Sequence, residues 1–141
     1  MPPSWPRPDC VIFADVLEHL VDPWAAVRQA REMLAPGGAL VVSIPNVLHH
    51  AVVKDLLRGR FDYRDAGVLD RTHLRFFTAA TARELVEQAG FRVERMERVI
   101  EPPRSMRSLV GWTERTPSNG KRSMRAILAD LCTVQYLILA K

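Results

Sequence analysis

The stretch Cys10-Val11-Ile12-Phe13-Ala14-Asp15-Val16-Leu17-Glu18-His19 decides how the rest of the chain is read, because an unbroken apolar run empties directly into two carboxylates and an imidazole. A short continuous run of this kind suits a strand covered on both faces. Beyond it, Asp22-Pro23 is a helix start: the carboxylate caps free N–H groups and the proline is preset for the first turn. Trp24, Val27, Arg31 and Leu34 follow at helical spacing, and Ala35-Pro36-Gly37-Gly38 stops the helix. Ala39-Leu40-Val41-Val42-Ser43-Ile44 is then a second buried strand. The product is a βαβ unit, with parallel strands and a right-handed crossover. Ligands in such sheets sit beyond the carboxyl ends of the strands, which is where Asp15 to His19 and Pro45-Asn46 fall.

Outside this unit, residues 46–78 make a long connection with one predicted helix, about His50 to Leu57, and a loop rich in Arg and Asp. Inserts of this length are often functional lids. Thr78, or Thr81 with Glu84 as a capping box, starts the next helix, and Gly90 ends it. Phe91 to Ile100 alternates with charges as an exposed edge strand does. Residues 101–132 form a basic insert with short helices predicted near Met106 to Arg115 and Ser123 to Leu131, flanking a loop from Thr116 to Lys121. Thr133 to Ala140 closes the chain as a strand of high β propensity.

With 141 residues, 48% hydrophobic and 26% charged, the chain reads as one soluble α/β domain, residues 1–141. It has no apolar run of membrane-spanning length and no secretory leader at Met1, so the expected location is cytoplasmic. Cys10 and Cys132 stand far apart in apolar surroundings, which predicts two buried, reduced thiols. The net charge of +4 is concentrated late: residues 92 to 125 carry +5 and the remainder −1. Glu and Arg interleave there around a single aromatic, Trp112, which favours a solvated surface over a nucleic-acid groove. Neither nucleic acid nor membrane is expected as a partner.

Four segments together, D-C-V-I-F-A-D-V-L-E-H-L-V-D-P, M-L-A-P-G-G-A-L-V-V-S-I-P-N-V, D-R-T-H-L-R-F-F-T and A-G-F, resemble the second half of a class I S-adenosylmethionine-dependent methyltransferase. The closing V-Q-Y-L-I-L-A-K resembles that family's last strand. The resemblance implies a partial Rossmann-like sheet holding strands four to seven in the order 4-5-7-6, the last antiparallel, with flanking helices. It also implies S-adenosylmethionine as cofactor. The family's Gly-rich turn after its first strand, and the acidic tip of its second, have no counterpart: the glycines at 37, 38, 59, 67, 90, 111 and 120 assemble no G-x-G. The expectation is therefore half of a domain, whose strand 10–14 lies at an open sheet edge. Such an edge is a pairing hazard, to be covered by the missing N-terminal half, by a second chain or by self-association.

By the same resemblance, Phe13, Ala14 and Asp15 match the strand tip bordering the methionine part of the cofactor. His19 is the candidate catalytic base, since imidazole titrates near neutral pH. Asn46, His49, His73 and Arg75 are the substrate-side candidates, for a glycan or other small-molecule hydroxyl that accepts the methyl group. Asp15, Glu18 and His19 share one face if they form a helical turn. That pattern resembles the E-x-x-E-H of methyltransferase branches that use a divalent ion, with His73 as a fourth ligand; a turn that merely caps loops fits the same residues. Trp24, Phe76, Phe77 and Phe91 are assigned to core packing. A non-catalytic module pairing through the open strand edge is the competing reading.

Overall fold

The computed structural model describes residues 6–101 and 124–141. The opening run forms β1 (Cys10–Ala14), followed by a single 3-10 turn at Leu17–His19. Then come α1 (Pro23–Met33), β2 (Ala39–Pro45), α2 (His50–Leu56), α3 (Ala79–Gln88), β3 (Val93–Ile100), α4 (Met124–Leu131) and β4 (Thr133–Ala140). The helix expected near Met106 to Arg115 and the loop after it lie outside the described residues.

The four strands make one sheet in the order β1-β2-β4-β3. β1 and β2 are parallel, with Ile12 opposite Val41, and β4 runs antiparallel to both β2 and β3. This is the strand order and polarity that the sequence predicts. One sheet face carries Val11, Phe13, Leu40, Val42, Ile44, Tyr136 and Ile138, and packs on Val27, Ala30 and Leu34 of α1 and its end, and on Ala82, Leu85 and Val86 of α3. A 3.6-residue period brings those helical positions onto one stripe.

Three local expectations change. Among the described residues β1 is covered on one face only: Val11 and Phe13 turn inward, while Cys10, Ile12 and Ala14 are exposed. Successive strand side chains point to opposite faces, and α1 and α3 cover only one of them. Cys10 is thus an exposed thiol, although Cys132 is buried as expected. Trp24 is 38% exposed rather than in the core, because the inward stripe of α1 runs through Val27 and Ala30. Phe77 and Phe91 are buried, and Arg31 lies over the Phe91 ring with its guanidinium carbon 5.2 Å from the centroid.

Helix starts follow the chemistry of their capping residues. The Asp22 carboxylate accepts the Ala25 amide at 2.9 Å, with Pro23 in the first turn. Thr78, rather than Thr81 with Glu84, caps α3: its hydroxyl accepts the Thr81 amide, and the Thr81 hydroxyl accepts the Thr78 amide at 2.9 Å. The segment from 46 to 78 leaves and rejoins the sheet at one place. There the Val47 amide donates to the Phe77 carbonyl at 2.8 Å, and the Asn46 amide to the Val134 carbonyl at 2.9 Å. Under it lies a second small cluster of Val52, Val68 and Leu69, against which Phe76 is half-buried. Among the described residues, no helix is long and apolar enough to cross a membrane.

Candidate functional site

At the tip of β1 the chain turns sharply on Asp15, which takes a φ of 52° without being glycine. That left-handed conformation costs an ordinary L-residue energy, although Asp bears it better than most. Local hydrogen bonds hold the turn. The Asp15 amide donates to the Ser43 carbonyl at 3.3 Å, and its carboxylate accepts from the Ser43 hydroxyl at 2.8 Å and from the Gln135 side-chain amide. Three neighbouring strands, β1, β2 and β4, are tied together at this tip. Ser43 and Gln135 are not identified by the sequence reading; the available signal is that each is the polar exception inside an apolar strand.

The 3-10 turn after Asp15 is laced to the insert. The Glu18 carbonyl accepts the amides of Leu74 and Arg75, at 2.7 and 3.0 Å. His19 Nδ1 donates to the Thr72 carbonyl at 3.2 Å, and the Arg75 guanidinium donates to the Val21 carbonyl at 2.5 Å. A carbonyl oxygen only accepts, so the proton on His19 is at Nδ1 and the lone pair is at Nε2. His73 is held in the same way, its Nδ1 donating to the Val68 carbonyl at 3.0 Å. The two imidazoles stand edge to face with centroids 4.7 Å apart.

Between them lies Glu18. It is 1% exposed, yet neither of its carboxylate oxygens has a hydrogen-bond partner. Burial pushes its carboxyl above the usual carboxylate range, and the charge of Asp15 pushes the same way; its own backbone N–H, near but short of a hydrogen bond, and the two histidines pull it back. The donor atoms of Glu18, His19 and His73 all lie within 4.8 Å of one another. Asp15 stands outside this group, its carboxylate already engaged by Ser43 and Gln135. The helical turn that puts Asp15, Glu18 and His19 on one face is not what forms.

The other sequence candidates fall elsewhere. Asn46 is fully buried at the seam of β2 and β4, where its amide donates to the carbonyls of Asp130 and Thr133 and its oxygen accepts the Leu48 amide. His49 is 6% exposed and donates from Nε2 to the Glu101 carbonyl at 3.1 Å. Burial holds the His49 pKa below the ordinary imidazole value. It lines a cavity of about 200 Å³ with Asp55, Arg64, Val68 and Leu69, an ion pair of 2.6 Å between Arg64 and Asp55 standing at its wall. The structure thus joins His19 and His73, ties Arg75 to Val21 just after the same turn, and sets Asn46 and His49 at the start of the insert, bonded to residues 101, 130 and 133.

Residues 3–96 match the family described as methyltransferase domain. The chain belongs to the methyltransferase-domain family. It is 38% identical over 86 residues to an uncharacterized protein of Mycobacterium tuberculosis, which covers 59% of this chain and 27% of that protein. A probable S-adenosylmethionine-dependent methyltransferase of Mycolicibacterium smegmatis is 35% identical over 86 residues, 61% of this chain and 29% of that protein. The methyltransferase domain described here thus spans little more than a quarter of the curated relatives it matches. Among solved structures, a SAM-dependent methyltransferase from Archaeoglobus fulgidus aligns with a TM-score of 0.58 at 18% identity, over 94% of this chain and 58% of that one. The CcbJ methyltransferase from Streptomyces caelestis aligns with a TM-score of 0.57 at 15% identity, over 100% of this chain and 59% of that one. At such identities the likeness is one of fold.

Family membership implies S-adenosylmethionine as the methyl donor. Among the described residues β1 is an edge strand of the sheet, and Ala14 and Asp15 are exposed at its carboxyl end. No glycine-rich turn for the rest of the cofactor is present in the sequence.

Proposed function

We propose that this domain forms the acceptor side of S-adenosylmethionine-dependent O-methyl transfer to a sugar or another small hydroxylated metabolite. The observation that carries the reading is the junction of the β1 tip with the insert, where a lone-pair nitrogen, His19 Nε2, is held beside the exposed end of the sheet. Phe13, Ala14 and Asp15 form the ledge for the methionine end of the cofactor, whose sulfonium supplies an electrophilic methyl group. His19 takes the proton of the acceptor hydroxyl, with Nδ1 anchored so that Nε2 is the basic atom. Transfer needs an in-line approach of nucleophile and methyl carbon, so much of the work is positioning. His73 faces the acceptor beside His19, Arg75 ties the insert that carries His73 to the chain just after the turn that carries His19, and Asn46 and His49 anchor the start of the insert. The exposed free thiol of Cys10 supports a reducing, cytoplasmic setting for the reaction.

A second reading is favoured by one observation: among the described residues β1 has no strand paired on its outer side, and its Ile12 is 65% exposed. In that reading the domain binds another chain, or a second copy of itself, by strand pairing and performs no chemistry. Calorimetric titration with S-adenosylmethionine separates the two. Micromolar binding that weakens on truncating the Asp15 side chain is expected of the acceptor-side reading. No binding at millimolar cofactor, together with stable strand-paired complexes, sinks it.

A further inference from the structure

From the cluster at the β1 tip, we infer that Glu18, His19 and His73 form a three-ligand site for a divalent transition-metal cation of the zinc or cobalt type. Three independent observations converge. A carboxylate buried to 99% with no partner on either oxygen is an unexplained feature in any fold, because a buried polar group left unpaired is costly. Both histidines donate from Nδ1 to backbone carbonyls, Thr72 for one and Val68 for the other. That outer bonding fixes the tautomer whose Nε2 lone pair is free to bind a metal, as is usual for metal-ligating histidine. Finally, the three donor atoms fall within 4.8 Å of one another although His73 is 54 residues from His19.

Three donors around one ion, at about 2.0 to 2.2 Å each and tetrahedral or octahedral angles, stand about 3 to 3.5 Å apart. The donor atoms, within 4.8 Å of one another, would have to draw in by about 1 to 2 Å to reach that spacing. Two imidazoles and one carboxylate favour zinc, cobalt or a similar ion over magnesium, which prefers oxygen donors. Asp15 is not a ligand: its carboxylate belongs to Ser43 and Gln135, so among the described residues the site has three protein ligands, fewer than the roughly four to six a cation of this type takes. Open positions are what a catalytic, rather than a structural, metal requires. A divalent cation held by these three residues would supply Lewis acidity to a coordinated acceptor hydroxyl, whose proton would pass to solvent water, which deepens the acceptor-side reading above by naming the group that would activate the acceptor. His19 Nε2 then serves as a ligand rather than as a free base. Because His19 and Glu18 belong to the 3-10 turn and His73 to the insert, the ion also fastens one to the other.

The test uses the full 141-residue chain, stripped with a chelator and titrated with Co²⁺ and then Zn²⁺, without cofactor or acceptor. The expected result is one equivalent of Co²⁺ bound at micromolar affinity, with visible d–d absorption that Zn²⁺ displaces, and a rise in thermal midpoint. Glu18→Gln and His73→Ala each weaken binding at least tenfold, whereas Asp15→Asn leaves it within twofold. Absence of saturable Co²⁺ binding by the unaltered chain overturns the inference, and this arm does not depend on any variant folding. So does binding that survives both ligand substitutions, or that Asp15→Asn weakens as much as Glu18→Gln. Since no methyl donor is present, a negative result here leaves the methyl-transfer reading to its own titration.

Discussion

A left-handed aspartate at a strand tip is a place where local chemistry and fold pull against each other. Asp15 keeps a φ of 52° because its carboxylate collects two side-chain donors from β2 and β4. Asp15→Val puts a β-branched residue at positive φ and removes both acceptors, so a loss of about 2 kcal/mol is expected in urea unfolding. Asp15→Asn keeps an oxygen acceptor and the tolerance for that conformation, and its loss stays under about 1 kcal/mol. Equal losses for the two variants remove backbone conformation from the account. None of these partners is legible from Asp15 itself, since Gln135 is 120 residues away and only the folded sheet makes them neighbours. His49 offers a pH test. Burial depresses its folded pKa, so below the ordinary value of about 6.5 the unfolded chain binds more protons than the native one. Stability therefore falls as pH drops from that value through the depressed one. Unfolding followed from pH 7 to pH 5 in the presence of a chelator is expected to show a shallower decline for His49→Gln, whose amide can still donate to the Glu101 carbonyl. Parallel declines remove His49 from the explanation.

Elements are where the sequence is most readable, because period, caps and breakers act locally. β1, β2 and β4 follow from apolar runs, α1 from Asp22-Pro23, and α3 from a threonine before a helical period and a glycine after it. What periodicity settles less well is which residues of an amphipathic helix face inward. Trp24 is one turn before Val27, yet it points out because the sheet meets α1 through Val27 and Ala30. The choice of cap was equally open on sequence grounds, Thr81 with Glu84 being as good a pattern as Thr78. The structure makes Thr78 the cap, with a reciprocal bond from Thr81. Thr78→Ala is accordingly expected to cost about 1 kcal/mol, and Glu84→Ala close to nothing, in paired thermal unfolding measurements. A larger loss from Glu84→Ala points to the other capping box in solution. The insert was legible as a segment but not as a partner. Its length and charge pattern mark out residues 46–78, while the bonds from Leu74 and Arg75 to Glu18, which bring His73 to the cluster, depend on how it folds back.

For the molecule as a whole, the order β1-β2-β4-β3 and the antiparallel entry of β4 are what the chain's likeness to a methyltransferase half implies, and the strands adopt it. The consequence that the sequence reading understates is the second sheet face. β1 and β4 present Ile12, 65% exposed, and Leu137, 40% exposed, on the side away from α1 and α3. An unpaired parallel edge beside an apolar face invites pairing, and β1 carries no lysine, proline or bulge of the kind that blunts natural edges. Burying a side chain the size of isoleucine contributes about 2 kcal/mol per contact site. The chain is therefore expected to associate as its concentration rises, and sedimentation velocity between 5 and about 200 µM, a range set for weak complexes of this free-energy scale, measures it directly. Ile12→Lys places a charge at the middle of the edge where the side chain is already mostly in water, so the unfolding free energy changes by less than about 0.5 kcal/mol while association weakens several-fold. If the Lys variant associates as strongly as the parent, the contact lies on another surface. A parent chain that stays monomeric throughout that range shows instead that the open face of β1 is protected in solution by something other than pairing.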